Sequence, residues 1–244
     1  MCLKNAKECV MLYTGDKMKY ENIVCGEFID RPNRFIANVM IDSKPYVCHV
    51  KNTGRCKELL IKGCKVYLEK SGNPERKTLY DLVAVQKGER LINMDSQAPN
   101  KAAFEWLVNK KPFGEGWRVL AEKSYKKSRF DFMLEHESGR KMYLEVKGCT
   151  LEENGVVMFP DAPTQRGLRH IGELIECIKD GYEAVLLILV QMKDVKYFTP
   201  NYATHKEFGD AMKLASEKGV KLLCYDCLVA PDSMVVDREV EIVL

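Results

Sequence analysis

With 244 residues, 46% of them hydrophobic and 30% charged, the chain has the composition of a soluble globular protein with room for one large or two moderate domains, and it is too long to depend on disulfide staples. No apolar run reaches the roughly 20 residues of a membrane span; the longest is Ala184–Val190. A net charge of +3 excludes a polycation, but the charge is uneven: residues 1–100 carry 17 Lys and Arg against 12 Asp and Glu, and residues 101–244 carry 21 against 23. The first half is therefore the one expected to meet a polyanion.

Met1–Lys17 lack the apolar centre and small-residue cleavage site of a secretory signal, so residues 1–17 read as an N-terminal extension, with Met18 an alternative start. Ten scattered cysteines read as reduced thiols, which places the protein in the cytoplasm. From Ile23 to Val85 the pattern is short strands between turns: 23–29, 34–41, 46–50, 64–69 and 78–85. Five such strands predict an OB-like β-barrel over residues 18–94, with a short helix at Cys56–Ile61. Along it Arg31, Arg34, Lys51, Arg55, Arg76 and Lys77, with the neighbouring Asn52, interleave with Phe35 and several tyrosines. Cations for phosphates beside aromatic planes for bases make these candidate nucleic-acid contacts. The simpler alternative is that the aromatics are core residues.

The polar stretch Asp95–Asn100 marks a boundary, with Asn100 placed to cap a helix over Lys101–Lys110 whose buried face is Ala103, Phe104, Leu107 and Val108. Strands follow at Trp117–Glu122, Ser128–Leu134 and Met142–Gly148, then a turn at Pro160–Pro163. After a helix at Thr164–Lys179 come a buried strand at 184–190, a helix at Lys206–Lys218 and a strand at Val220–Tyr225. This alternation predicts an α/β domain over 95–244, and an α+β protein overall.

The chemistry concentrates on the paired strands 128–134 and 142–148. Strand side chains alternate faces, so Phe130, Phe132 and Leu134 are expected on one face and Asp131 on the other, with Glu145 and Lys147 opposing Leu144 and Val146. Two carboxylates and an ammonium on one patch of sheet suit a divalent cation, Mg2+ or Mn2+, acting on a phosphodiester. Asp131 and Glu145 would be ligands together with the Val146 carbonyl, and Lys147 would steady the attacking water or the developing charge. A solvated Glu–Lys ion pair is the plain alternative. In the helix after Pro163, Leu168, Ile171, Leu174, Ile175 and Ile178 form the apolar stripe, and Arg166, His170 and Glu173 are expected opposite it. There Arg166 could hold a phosphate and His170 could assist proton transfer, unless both simply face solvent. Asp161 is expected to cap this helix, with a catalytic acid as the alternative. Cys224 and Cys227 stand three apart in a strand, on opposite faces with no second pair, and read as structural; His49 reads as a hydrogen-bonded strand residue.

Taken in order, the segments Arg31–Val39, His49–Arg55, Glu58–Leu60, Arg76–Thr78, Ser128–Phe132, Leu144–Leu151 and Phe159–Gly167 with His170 resemble the sugar fermentation stimulation protein A family, from about Lys19 to the C-terminus. The resemblance implies an N-terminal OB-like domain and a PD-(D/E)XK nuclease-like domain, DNA binding, and a link to the regulation of sugar (maltose) metabolism. Carried over by position, Asp131, Glu145 and Lys147 match the nuclease motif, with Glu122 as an additional acid. Three readings follow: a Mg2+-dependent nuclease, a non-catalytic DNA-binding regulator that retains a nuclease fold, and an RNA-processing factor. The expected partner is nucleic acid, DNA before RNA, with no membrane; the sequence leaves the oligomeric state open, a homodimer included.

Overall fold

The computed structural model describes residues 18–52 and 54–244, and the expected extension over residues 1–17 lies outside them. Its first half is built from β1 (Ile23–Asn33), β2 (Ile36–Ile41), β3 (Lys44–Val50), β4 (Lys65–Lys70) and β5 (Tyr80–Lys87). Alternation is clearest in β2, where Ala37, Val39 and Ile41 are buried and the residues between them are not. Asp42 and Ser43, both at positive φ, turn β2 tightly back into β3. The strands run in the order β3-β2-β1-β4-β5, and a parallel pairing of β3 with β5 closes the barrel around Phe28, Val39, Val66, Leu68 and Leu82. This is the expected OB-like barrel. An additional strand, β6 (Arg90–Asn93), pairs with β5; four residues are too few for a periodic signal.

The expected helix at Cys56–Ile61 is instead one hydrogen-bonded turn. The amides of Leu59 and Leu60 both reach the Cys56 carbonyl, at 3.2 and 3.0 Å, and Ile61 then turns back to Leu59. One turn fixes several residues for few bonds, and here nothing extends it.

The second half contains α1 (Ala98–Lys110), β7 (Trp117–Tyr125), β8 (Ser128–His136), β9 (Lys141–Cys149), β10 (Leu151–Glu153), β11 (Val156–Phe159), α2 (Gln165–Lys179), β12 (Glu183–Val190), β13 (Tyr197–Pro200), α3 (Tyr202–Glu217), β14 (Lys221–Ala230) and β15 (Ser233–Glu239). The main sheet has the order β15-β14-β12-β9-β8-β7, with β9, β12 and β14 parallel and the outer strands antiparallel. Helix α1 covers one face, over Phe132, Leu144, Val146, Leu187 and Leu189. Helices α2 and α3 cover the other, over Phe130, Tyr143, Leu186 and Ile188. Covered on both sides, β12 reads as the continuous apolar run seen in the sequence. A small sheet, β10-β11-β13, flanks it.

Helix α1 starts earlier than expected because Pro99, with φ already fixed, sits comfortably in the first turn. Asn100 is thus inside the helix and is not its cap. The buried face is Ala98, Ala102, Ala103, Trp106 and Leu107, rotated away from Val108. Two polar contacts lock barrel to sheet. Gln191, just past β12, bonds the carbonyls of Asn93 and Asp95 at 3.1 Å, and Glu152 of β10 pairs with Lys87 and Arg90 at 2.8 and 2.6 Å. Among the described residues no helix is long and apolar enough to cross a membrane.

Candidate metal site and nucleic-acid interface

The ladder between β8 and β9 runs from Glu135↔Lys141 to Phe132↔Leu144 and stops there, one residue before Asp131 and Glu145. Beyond that point the Asp131 carboxylate accepts the Val146 amide at 2.8 Å, so a side chain takes over where strand pairing ends. The facing of β8 changes at the same place. Phe132 packs against Phe104 of α1, whereas Phe130 packs against Tyr125, Tyr143 and His170 on the α2 face. The expected common face of Phe130 and Phe132 is therefore not observed: Asp131 sits at a switch, where strict alternation fails. On β9 the expectation holds, with Leu144 and Val146 facing α1 and Glu145 meeting α2.

Three side chains bond the two acids, and a fourth backs one of the three. Asn100, from the first turn of α1, donates to Asp131 Oδ1 at 2.7 Å. Lys147 Nζ donates to Glu145 Oε1 at 2.6 Å, and His170 Nδ1 bonds the same oxygen. Arg166 Nε donates to His170 Nε2 at 3.4 Å. The other carboxylate oxygen, Glu145 Oε2, is buried without a hydrogen-bond partner. Glu145 is 2% exposed.

Burial raises the Asp131 pKa, the nearby Glu145 charge raises it further, and together they push it to about 6. Burial opposes the Glu145 charge as well, but the His170 bond and the Lys147 ammonium outweigh it and hold that carboxyl below the ordinary glutamate value. Of the two acids, Asp131 is the one that takes up a proton first.

Placement differs from expectation elsewhere. His170 belongs to the buried arc of α2 with Ile171 and Leu174 and does not lie opposite it; the arc is wide enough to include it. Glu173 also points one oxygen, Oε2, into a buried position without a partner. Thr164 caps α2, accepting from Gly167 N at 3.0 Å, and Asp161 instead accepts the Arg55 amide at 3.3 Å across the two halves. Glu122 has φ 52° and a half-exposed side chain paired with Arg129 at 3.6 Å, not with Asp131 or Glu145. Cys224 and Cys227 are buried on opposite faces of β14, with thiols raised by burial. His49 bonds Asp81 at 3.0 Å.

The basic residues of the barrel divide into two groups. Arg31 is internal: its guanidinium donates to the carbonyls of Arg34 and Asn52 at 2.7 Å, Arg55 at 2.8 Å and Gly54 at 2.9 Å. Lys51 pairs with Asp95 at 3.2 Å, Arg76 forms a bidentate pair with Asp81, and Asn52 bonds the Met94 carbonyl and the Gly54 amide. Arg34, Phe35, Arg55 and Lys77 are exposed. Arg34 and Gly54 also border a cleft of about 470 Å3 at the C-terminal end of β9, formed with Gly148, Thr150 and the 160–164 loop. Its floor is tight, because a Cβ on Gly148 would lie 2.6 Å from Pro99 Cγ. Sequence reasoning missed Asn100, read as a cap, and Gln191. The one available signal was the placement of Pro99, which moves Asn100 into the helix.

Residues 29–94 match the SfsA N-terminal OB domain, and residues 97–233 match the Sugar fermentation stimulation protein RE domain. The Sugar fermentation stimulation protein homolog of Ruminiclostridium cellulolyticum is 56% identical over 225 residues, 92% of this chain and 99% of the relative. That of Clostridium beijerinckii is 53% identical over 227 residues, 93% of this chain and 100% of the relative. SfsA of Pyrococcus furiosus, solved in complex with Ca2+, superposes with a TM-score of 0.82 at 27% identity, covering 93% of this chain and 98% of that one. The architecture is an OB-like barrel followed by an α/β domain that matches the family's RE domain. The chain belongs to the sugar fermentation stimulation protein family.

Proposed function

We propose that this protein is a nucleic-acid-binding phosphodiester hydrolase that uses a divalent cation, Mg2+ or Mn2+, held by Asp131 and Glu145 with the Val146 carbonyl. The observation that carries this reading is Glu145 Oε2, a buried carboxylate oxygen without a partner, beside a second acid whose pKa is pushed up by burial and by the first. Buried acceptors are ordinarily satisfied, and two crowded carboxylates are relieved by a cation between them. The donor set fits a hard ion. It is all oxygen, and with two carboxylates and one carbonyl as its protein ligands an ion here would keep waters, as Mg2+ does. The Ca2+ bound by the Pyrococcus furiosus relative supports the same ion class.

Bound there, the cation would polarise the scissile phosphate and lower the pKa of a water. The protein's own groups have definable tasks. Lys147 and His170 fix the Glu145 carboxylate by its Oε1, leaving Oε2 turned away from both. Asn100 and the Val146 amide fix Asp131. Arg166 backs the His170 ring. The exposed Arg34, Arg55 and Lys77 of the barrel would hold the substrate backbone, with DNA the first substrate to test and RNA the second. The free thiols of the described cysteines fit a reducing cytoplasm.

A second reading, a non-catalytic DNA-binding regulator, draws support from the enclosure of Glu145. Labelled single- and double-stranded DNA and RNA, incubated with Mg2+ or Mn2+, separate the two. Metal-dependent cutting lost in Glu145→Ala and Lys147→Ala supports the hydrolase; binding without cutting in either metal supports the regulator.

A further inference from the structure

The tip of the β1–β2 hairpin carries an exposed feature that no packing requirement explains. Arg34 and Phe35 form its two-residue turn, and Phe35 is 49% exposed with the Arg34 guanidinium 5.4 Å from its ring centroid. This tip is held firmly. Arg31 bonds the Arg34 carbonyl and ties it to Asn52, Gly54 and Arg55, Asn33 Oδ1 accepts the Phe35 amide at 2.9 Å, and the Phe35 carbonyl accepts from Val50 at 2.8 Å. An aromatic ring is thus presented to solvent on a preorganised loop.

Two recesses adjoin it and share Arg34 and Gly54. One, of about 290 Å3, is bordered by Arg55, Cys56, Lys57 and Leu60 on the barrel. The other is the cleft of about 470 Å3 that reaches Gly148, the residue after Lys147. Recesses of a few hundred Å3 are the size that encloses one small molecule, so each suits a nucleotide or two and not a duplex. Glu145 is itself nearly enclosed, at 2% exposed, and the Lys147 side chain beside it is 15% exposed.

We infer that the nucleic acid this protein binds is single-stranded, with an unstacked base on Phe35 and its phosphates passing Arg34 and Arg55 toward the cleft at Gly148. In a duplex the base faces are buried against one another and offer Phe35 nothing to stack on. In a single strand every base has a free face, and aromatic stacking with a flanking cation is tolerant of sequence. Single-stranded DNA and RNA share this chemistry. The inference rests on the nucleic-acid part of the proposed function and not on turnover.

The test is binding in EDTA, read by fluorescence anisotropy, with labelled oligothymidylate and oligouridylate of about 12 nucleotides and a DNA duplex of the same length. Either single strand should bind on the order of tenfold tighter than the duplex, and whichever is tighter identifies the source. Phe35→Ala should weaken single-strand binding on the order of tenfold with little change in salt dependence, while Phe35→Tyr, which keeps the ring, retains it. Arg34→Ala with Arg55→Ala should flatten the salt dependence. Thermal melting shows whether each variant remains folded; Phe35 is outside the core, so loss of fold is not expected. Duplex binding equal to or tighter than single-strand binding, or a folded Phe35→Ala with unchanged affinity, overturns the inference. Cutting of duplex without single-strand preference would overturn it alone and leave the hydrolase reading standing. Single-strand binding without cutting would do the reverse.

Discussion

Glu152 and Glu145 are buried glutamates seven positions apart, 3% and 2% exposed, and their surroundings treat them differently. Every side-chain oxygen of Glu152 is used: Oε1 accepts from Arg90 at 2.6 Å and from the Gly155 amide, and Oε2 accepts from Lys87 at 2.8 Å. Burial opposes that charge, but Lys87, the Gly155 amide and Arg90 outweigh it and hold the carboxyl below its ordinary value. Glu145 has both of its donors on one oxygen and none on the other. The first acid is a tie between the barrel and the sheet. The second keeps one oxygen without a partner, and next to it stands Asp131, whose pKa burial and the Glu145 charge keep raised despite the bonds from the Val146 amide and Asn100. A saturated acid contributes stability; a half-saturated pair gives some up, which is the usual mark of a site arranged for a ligand.

The sharpest way to test this contrast is to remove the tie. Glu152→Ala leaves Lys87 and Arg90 without a carboxylate beneath the barrel, each keeping one backbone carbonyl, and should cost about 2–3 kcal/mol in urea unfolding near pH 7, somewhat less than a fully buried pair because both cations remain a third exposed. Since the folded carboxyl titrates below the ordinary 4.5, that contribution is present at neutral pH and declines as pH falls below about 4.5. Wild type and variant should converge in acid.

Next in size is the orientation of Glu145. His170→Ala removes one of the two donors on Oε1 and should weaken Mn2+ or Ca2+ binding about 10- to 100-fold, about 1.4–2.7 kcal/mol, measured by calorimetry. His170→Asn, which can still donate, should recover part of the loss. Unchanged affinity in the alanine variant would show that Glu145 needs no such support.

The smallest effect has the opposite sign. The Asp131 carboxyl is raised from 3.8 to about 6, so folding favours its protonated form, and its charge becomes a penalty as pH rises from about 4 through 6. Asp131→Asn should therefore stabilise the metal-free protein by about 1–2 kcal/mol at pH 7.5 and by almost nothing at pH 4. A destabilisation at pH 7.5 would mean that the bonds from Asn100 and Val146 matter more than the buried charge.

Strands β2 and β9 and helix α2 are legible in the sequence because each buries one face, or both, with an unbroken period. Strands β6, β10, β11 and β13 are three or four residues long and carry no period to read. The site is legible in its acids and not in their setting. Asp131 and Glu145 stand out as charge within apolar strands, but the change of face between Phe130 and Phe132 depends on where the ladder ends, which is a tertiary fact. In the same way composition cannot tell Arg34, which is exposed, from Arg31, whose acceptors lie up to 24 residues away, or from Arg76, which is held by Asp81.

The central claim is that Asp131 and Glu145 form one divalent-cation site. A calorimetric titration of Mn2+ into the wild type, Asp131→Ala and Glu145→Ala, each verified as folded, tests it most directly. Saturable binding in the wild type that is lost in both variants is the expected result. No binding in the wild type, or binding that survives both substitutions, would contradict it.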